Sequence, residues 1–184
     1  MLPTEELKQE HQGILLMLRI LDRVAVKLES GEEGDLEHLE QIVEFFRVFA
    51  DRCHHGKEED LLFPAMEKRG IPREGGPIGV MLMDHEGGRG YIRGMANALV
   101  KHKAGDPMAL KEFARNARGC IGLLTQHINK EDQVLFSMAE RVLPRDVQTE
   151  LAKGFKKIEM ERIGEGTHEK FHKLLEKLED TYLK

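Results

Sequence analysis

Tryptophan is absent from this chain of 184 residues, and aromatic residues make up only 5% of it. The two cysteines, Cys53 and Cys120, lie far apart and form no Cys-x-x-Cys pair. That argues against a disulfide scaffold and makes a reducing cytoplasm the expected compartment. No apolar run approaches the roughly 20 residues of a membrane helix, so no membrane span is expected. The first residues, MLPTEELKQEHQG, carry charges at once and contain no apolar stretch, so no signal peptide is expected either. Basic residues are not in excess: the net charge of −5 leaves no electrostatic footprint for nucleic acid. No strand-like alternation of any length occurs. There is no Gly-x-Ser-x-Gly elbow and no phosphate-cradling glycine loop, which disfavours a nucleophilic or nucleotide-dependent enzyme.

What is present is helical. Apolar residues recur at Leu7, Ile14, Leu15, Leu18, Leu21, Ala25 and Leu28, a period of a helix that Thr4 can cap. Asp35 can cap a second helix running to about Lys68, bent at Pro64. A third is expected from about Ile78 to Lys103. Its Gly87, Gly88, Gly90 and Gly94 each cost about 1 kcal/mol relative to Ala, so it is either kinked there or closely approached by another backbone or a ligand. A fourth starts near Asp106 and Pro107 and runs to about Val142. A last helical region covers residues 146–182, with a joint at Gly164 and Gly166. The expected fold is all-α: an up-down four-helix bundle over about 4–142 with a C-terminal helical extension over about 145–182, in a single domain spanning 1–184.

One ten-residue stretch occurs twice, as HHGKEEDLLF (54–63) and HINKEDQVLF (127–136). Each copy is His-x-x-x-Glu followed by an apolar run, and residues four apart share a helix face. The double histidine of the first copy requires a choice of register. Three, four, seven, eight and eleven residues before His54 stand Asp51, Ala50, Arg47, Phe46 and Val43, three of five apolar. The same count for His55 gives one of five. The core-facing pair is therefore expected to be His54 and Glu58, with His55 and Glu59 at the edge of that face. His127 and Glu131 lie in the stripe of Cys120, Leu123, Leu124, Val134, Leu135 and Met138.

A single His–Glu pair in such a stripe is more often a buried hydrogen bond than a ligand pair. Two matched copies reverse that weighting. His85 follows Met81 and Leu82, and His11 follows Leu7 and precedes Ile14, Leu15 and Leu18, so each of the four long helices offers a core-facing histidine. Four histidines and two glutamates on facing helices are how metal sites are built in bundle cores. Imidazole suits Fe, Zn and Cu, and a mixed set with bridging carboxylates suits a pair of irons. His55 and His168 are further candidates for a fifth histidine. His38 and His102 read as surface residues, and Lys57 and Lys130 as solvated neighbours of the glutamates.

At these positions the sequence resembles the hemerythrin-like family of HHE cation-binding domains. The matching pieces are His11, HHGKEEDLLFP, DHEGGRG and HINKEDQVLF, over roughly residues 5–140. The resemblance implies a four-helix bundle holding an oxo- or hydroxo-bridged di-iron centre, with His11, His54, Glu58, His85, His127 and Glu131 as ligands and the two glutamates as bridges. Two departures stand out. Oxygen-carrying hemerythrins have His-x-x-x-His in the third helix, where this chain has Arg89, and take the bridging carboxylate from an Asp five residues after the fourth-helix His, whereas here the bridge is matched to Glu131, four after, with Asp132 at the fifth place. Either His55 or His168 replaces the missing histidine, or a coordination position is open. The function implied is binding of, or reaction with, O2, NO or peroxide, in sensing, detoxification or repair of iron centres. The alternative is an iron or zinc store or sensor without turnover.

Overall fold

The computed structural model describes residues 1–184 and contains six helices. They are α1 (Pro3–Glu29), α2 (36–67), α3 (Pro77–Lys103), α4 (109–142), α5 (145–163) and α6 (Thr167–Tyr182). No strand is present, so the all-α expectation holds. No helix is long and apolar enough to cross a membrane.

The first four helices run alternately up and down, as their side-chain pairings show. Along α1 and α4, Thr4 meets Glu140, His11 meets Asp132 and Asp22 meets Arg118. Along α2 and α3, Lys103 meets Glu40, Arg89 meets Asp51 and His85 meets Glu59. The third helix is not broken by its glycines. A Cβ on Gly94 would strike Asn116 of α4, and one on Gly119 of α4 would strike the ring of Tyr91 of α3. Each helix thus offers a gap to a side chain of the other, and close approach rather than kinking explains Gly94, while Gly90 faces open space.

Helix ends depart from the sequence reading in two places. Asp35 caps α2 by accepting from His38 N–H at 3.2 Å. Thr4 does not cap α1. It lies buried in the first turn and donates to Glu140, while Glu5 accepts from Leu2 N–H at 2.7 Å. Nor does Pro107 open α4, which starts at Ala109. The C-terminal extension is two helices, and the joint is built by Gly164 and Gly166 at positive φ of 82° and 79°.

The ligand-bearing helices are not regular. Residues Phe45–His55, Glu58–Leu62 and Glu131–Leu135 wind as π-helix. In both copies of the repeated stretch, the glutamate carbonyl accepts from a Phe N–H five residues on: Glu58 from Phe63 and Glu131 from Phe136. Pro64 directly follows the first copy without breaking the helix; Ser137 holds the matching place after the second. The wide turn therefore belongs to the repeat and not to the proline. π-turns inside α-helices are frequent at functional sites.

Two apolar clusters fill the interior. The larger includes Ile14, Phe46, Phe49, Ile92 and Leu124; the smaller includes Leu7, Phe63, Met81, Phe136 and Phe155. On α1, α2 and α3 the histidine falls between its contributions to the two clusters, and on α4 His127 falls at the edge of the larger one, beside Ile128, which makes a polar layer across the bundle.

Candidate metal centre

Six side chains of the polar layer are essentially sealed from solvent: His11, His54, Glu58, His85, His127 and Glu131. Their inward atoms converge. Glu58 Oε1 lies 3.3 Å from His54 Nε2 and its Oε2 lies 3.2 Å from His85 Nε2. Glu131 Oε2 lies 3.2 Å from His11 Nε2 and its Oε1 lies 3.1 Å from His127 Nε2. Each carboxylate thus turns one oxygen to each half of the layer. Two sets of donor atoms result, each able to hold a cation: His11, His54, Glu58 and Glu131 in one, and His55, Glu58, His85 and His127 in the other.

The second set contains His55, which sequence reasoning placed at the edge of the helix face. It is buried and stacks on His85, with ring centroids 3.8 Å apart and planes 18° apart. Face counting assumed an α-helical period. The π winding of Phe45–His55 puts more residues into each turn, so His54 and His55 both fall inside. His168 is not brought to the centre. It is partly exposed and lies beside Cys53, Glu10 and Glu159, on the outer side of α2.

Every one of the five histidines has its other nitrogen on a carboxylate. The Nδ1 to oxygen distances are 2.7 Å for His11 and Asp132, 3.1 Å for His54 and Glu10, and 3.1 Å for His55 and Asp51. They are 2.8 Å for His85 and Glu59 and 3.2 Å for His127 and Asp84. A ring that donates its Nδ1–H to a carboxylate presents an Nε2 lone pair, which fixes the tautomer that ligates a metal and raises its basicity.

Four of these carboxylates form a ring around the bundle. Glu10 of α1 serves His54 of α2, Glu59 of α2 serves His85 of α3, Asp84 of α3 serves His127 of α4, and Asp132 of α4 serves His11 of α1. Each stands beside its own helix's inward residue: before it in α1 and α3, after it in α2 and α4. Neighbours in a helix point about 100° apart, so the residue next to a ligand faces the adjoining helix. Reversing the helix reverses the sense of that turn, and the alternating offset keeps every carboxylate pointing the same way round. The sequence signal was the acid beside each ligand: Glu10–His11, Glu58–Glu59, Asp84–His85 and Glu131–Asp132.

Cations hold these carboxylates in turn. Arg89, standing where a further histidine was expected, bridges Asp51 and Glu59, the partners of His55 and His85. Lys130 reaches Asp84 at 2.7 Å. Lys57 is not solvated, as its sequence context indicated; it is fully buried against Glu6, Glu10 and Glu159.

The inward atoms of the layer leave hydrogen-bonding capacity unused. Both oxygens of Glu58 and of Glu131, with Nε2 of His11 and of His54, are buried and have no hydrogen-bond partner. Leaving such a group unsatisfied costs about 1–3 kcal/mol each, and more when it is charged. Protons partly relieve this. Burial opposes a charge on His54, but the Glu58 carboxylate and the Glu10 hydrogen bond outweigh it and raise its pKa to about 10. Burial likewise opposes a charge on His85, and Glu58 and Glu59 raise its pKa to about 9. His55 goes the other way, to about 3, through burial and the neighbouring His85 charge. Burial alone would raise Glu131, and Glu58 adds to that, but His127 and His11 bring it down to about 2.

The model of the hemerythrin HHE cation-binding domain matches residues 2–139. The chain belongs to the hemerythrin HHE family. This hemerythrin-family chain is also similar to uncharacterized proteins of Mycobacterium tuberculosis (Rv1995) and Mycobacterium bovis (Mb2018). Each is 24% identical over 177 residues, covering 96% of this chain and 67% of the relative. That likeness takes in most of α5 and α6, which lie beyond the hemerythrin match.

Proposed function

We propose that this protein holds a pair of iron ions in the two donor sets and binds or reacts with a small ligand such as O2, NO or hydrogen peroxide. The roles would be sensing, detoxification or repair of iron centres. The observation that carries this reading is the six buried, partnerless atoms of His11, His54, Glu58 and Glu131 aimed at one another. A cation in each set would satisfy all of them. Nitrogen and oxygen donors with two shared carboxylates suit iron better than a softer thiolate-seeking ion. Glu58 and Glu131 would bridge; His55, His85 and His127 would complete one site, and His11 and His54 the other.

Bound iron would supply the redox change and the electron density that small ligands require. The chain supplies the rest. Five carboxylates fix the imidazoles, and the two shared glutamates set the spacing. Phe136 stacks on His11 with centroids 5.5 Å apart, and the apolar cluster behind it keeps bulk water out. The His11–His54 side has one imidazole fewer than the other, so an incoming ligand would find its place there.

Metal quantification of anaerobically purified protein, with an optical spectrum before and after air, tests the proposal. About two irons per chain are expected, with near-ultraviolet charge-transfer bands that change on adding azide, peroxide or NO. A colourless protein holding a single zinc would sink it and leave the store or sensor reading.

A further inference from the structure

Outside the ring of imidazoles lies a second buried cluster. The ammonium of Lys57, with no exposed surface, is 2.8 Å from Glu10 Oε2, 2.9 Å from Glu6 Oε1 and 2.5 Å from Glu159 Oε1. Glu10 turns its other oxygen, Oε1, to His54 Nδ1. Glu159 comes from α5, and Phe155, one turn earlier on that helix, lies under the ammonium with its centroid 5.6 Å away. Glu10, Glu159, Cys53 and His168 have donor atoms close enough together to surround a cation. The space between the two carboxylates already has one, the Lys57 ammonium. The cluster is a cation site whose cation is part of the chain.

We propose that Lys57, anchored by Glu159, is a positioning residue for the metal centre: it fixes Glu10 and sets how strongly Glu10 pulls on the Nδ1–H of His54. The inference rests on the proposed iron reading, in which His54 is a ligand. A carboxylate accepting an imidazole N–H makes that imidazole a stronger donor to its metal. An ammonium on the carboxylate's other oxygen withdraws negative charge and weakens that effect. Lys57 therefore restrains Glu10, and Glu159, by sharing the ammonium, eases the restraint. The electron density at the His11–His54 position is then set in part by α5, a helix outside the hemerythrin match.

Opposite substitutions give opposite signs. Lys57→Met frees Glu10 to pull harder, makes His54 the stronger donor and lowers the midpoint potential of the bound iron. Glu159→Gln leaves the ammonium with fewer anionic partners, draws more charge from Glu10 and raises the midpoint. The experiment is a spectroelectrochemical titration of the iron-loaded full chain, with iron content measured on the same samples. Wild type is expected between the two variants, with the charge-transfer bands shifting in step. Variants that carry full iron but share the wild-type midpoint and spectrum overturn the proposal and leave the iron reading intact. So do midpoints that move together, the pattern of a purely structural lysine. If Lys57→Met fails to fold or to take up iron, the upward shift in Glu159→Gln decides, and its absence overturns the proposal. A wild-type chain that binds no iron overturns the site reading and, with it, this inference.

Discussion

Glu10 neighbours His11 in the chain but hydrogen-bonds His54 on the next helix, 3.1 Å from its Nδ1. The same exchange recurs at every junction of the four long helices. No helix orients its own core-facing histidine in this ring; each depends on the helix before it.

Glu58 has one oxygen toward each donor set, whereas His11 serves only one. Glu58→Ala is expected to reduce metal content at both positions and His11→Ala chiefly at one. Metal analysis of the two variants, prepared side by side, checks this. Equal occupancy in both would contradict the bridging role of Glu58.

Asp84 accepts from His127 Nδ1 and pairs with Lys130, and it touches no inward atom of the layer. Asp84→Asn should preserve the fold and weaken metal binding about 10–100-fold, the usual effect of losing the partner of a ligating imidazole. Competition with a chelator of known affinity measures it. An unchanged affinity would remove Asp84 from the site.

Stability of the metal-free protein should fall on both sides of a slightly acid optimum. His54 and His85, raised to about 10 and about 9 from an ordinary 6.5, contribute stability that is full below 6.5 and lost as pH rises through those values. Glu131, lowered to about 2 from an ordinary 4.5, contributes stability present above 4.5 and lost as pH falls toward 2. His55, held neutral to about 3, adds to the acid loss from 6.5 downward. A bound metal replaces the protons on His54 and His85, so loading should release protons and abolish the alkaline loss. Urea midpoints between pH 5 and 10, with and without metal, test this; metal-free stability rising toward pH 10 is the contrary result.

Phe155 of α5 is fully buried against the smaller apolar cluster and underlies Lys57. Phe155→Ala should cost about 3–5 kcal/mol of unfolding free energy. Denaturant unfolding of the metal-loaded protein reads this directly, and a cost below about 1 kcal/mol would mean that α5 is not an integral part of the core.

Apolar periodicity made four helices and the inward faces of His11, His54, His85 and His127 legible in the sequence, because each sits in a stripe that only burial explains; the joint at Gly164 was legible from its glycines. His55 was not legible, since its position depends on π winding that no period-of-3.6 count reproduces. The sequence around Lys57 reads as solvated because the carboxylates that bury it come from α1 and α5, 47 and 102 residues away along the chain. The carboxylate ring was written in the sequence as an acid beside each ligand. Its meaning needs the alternating helix direction, which no single helix carries.

The metal layer divides the apolar interior unevenly, with 29 buried residues in the cluster on one side and 12 in the cluster on the other. With more apolar surface buried, the larger side is expected to hold the helices together by hydrophobic burial, and the smaller side to depend more on the layer above it being neutralised. The bundle is therefore a handle and a jaw. Chelation should loosen the jaw, where Leu7, Phe63 and Phe136 meet, and leave the handle shut, so that amide exchange quickens at one end of each helix and not at the other.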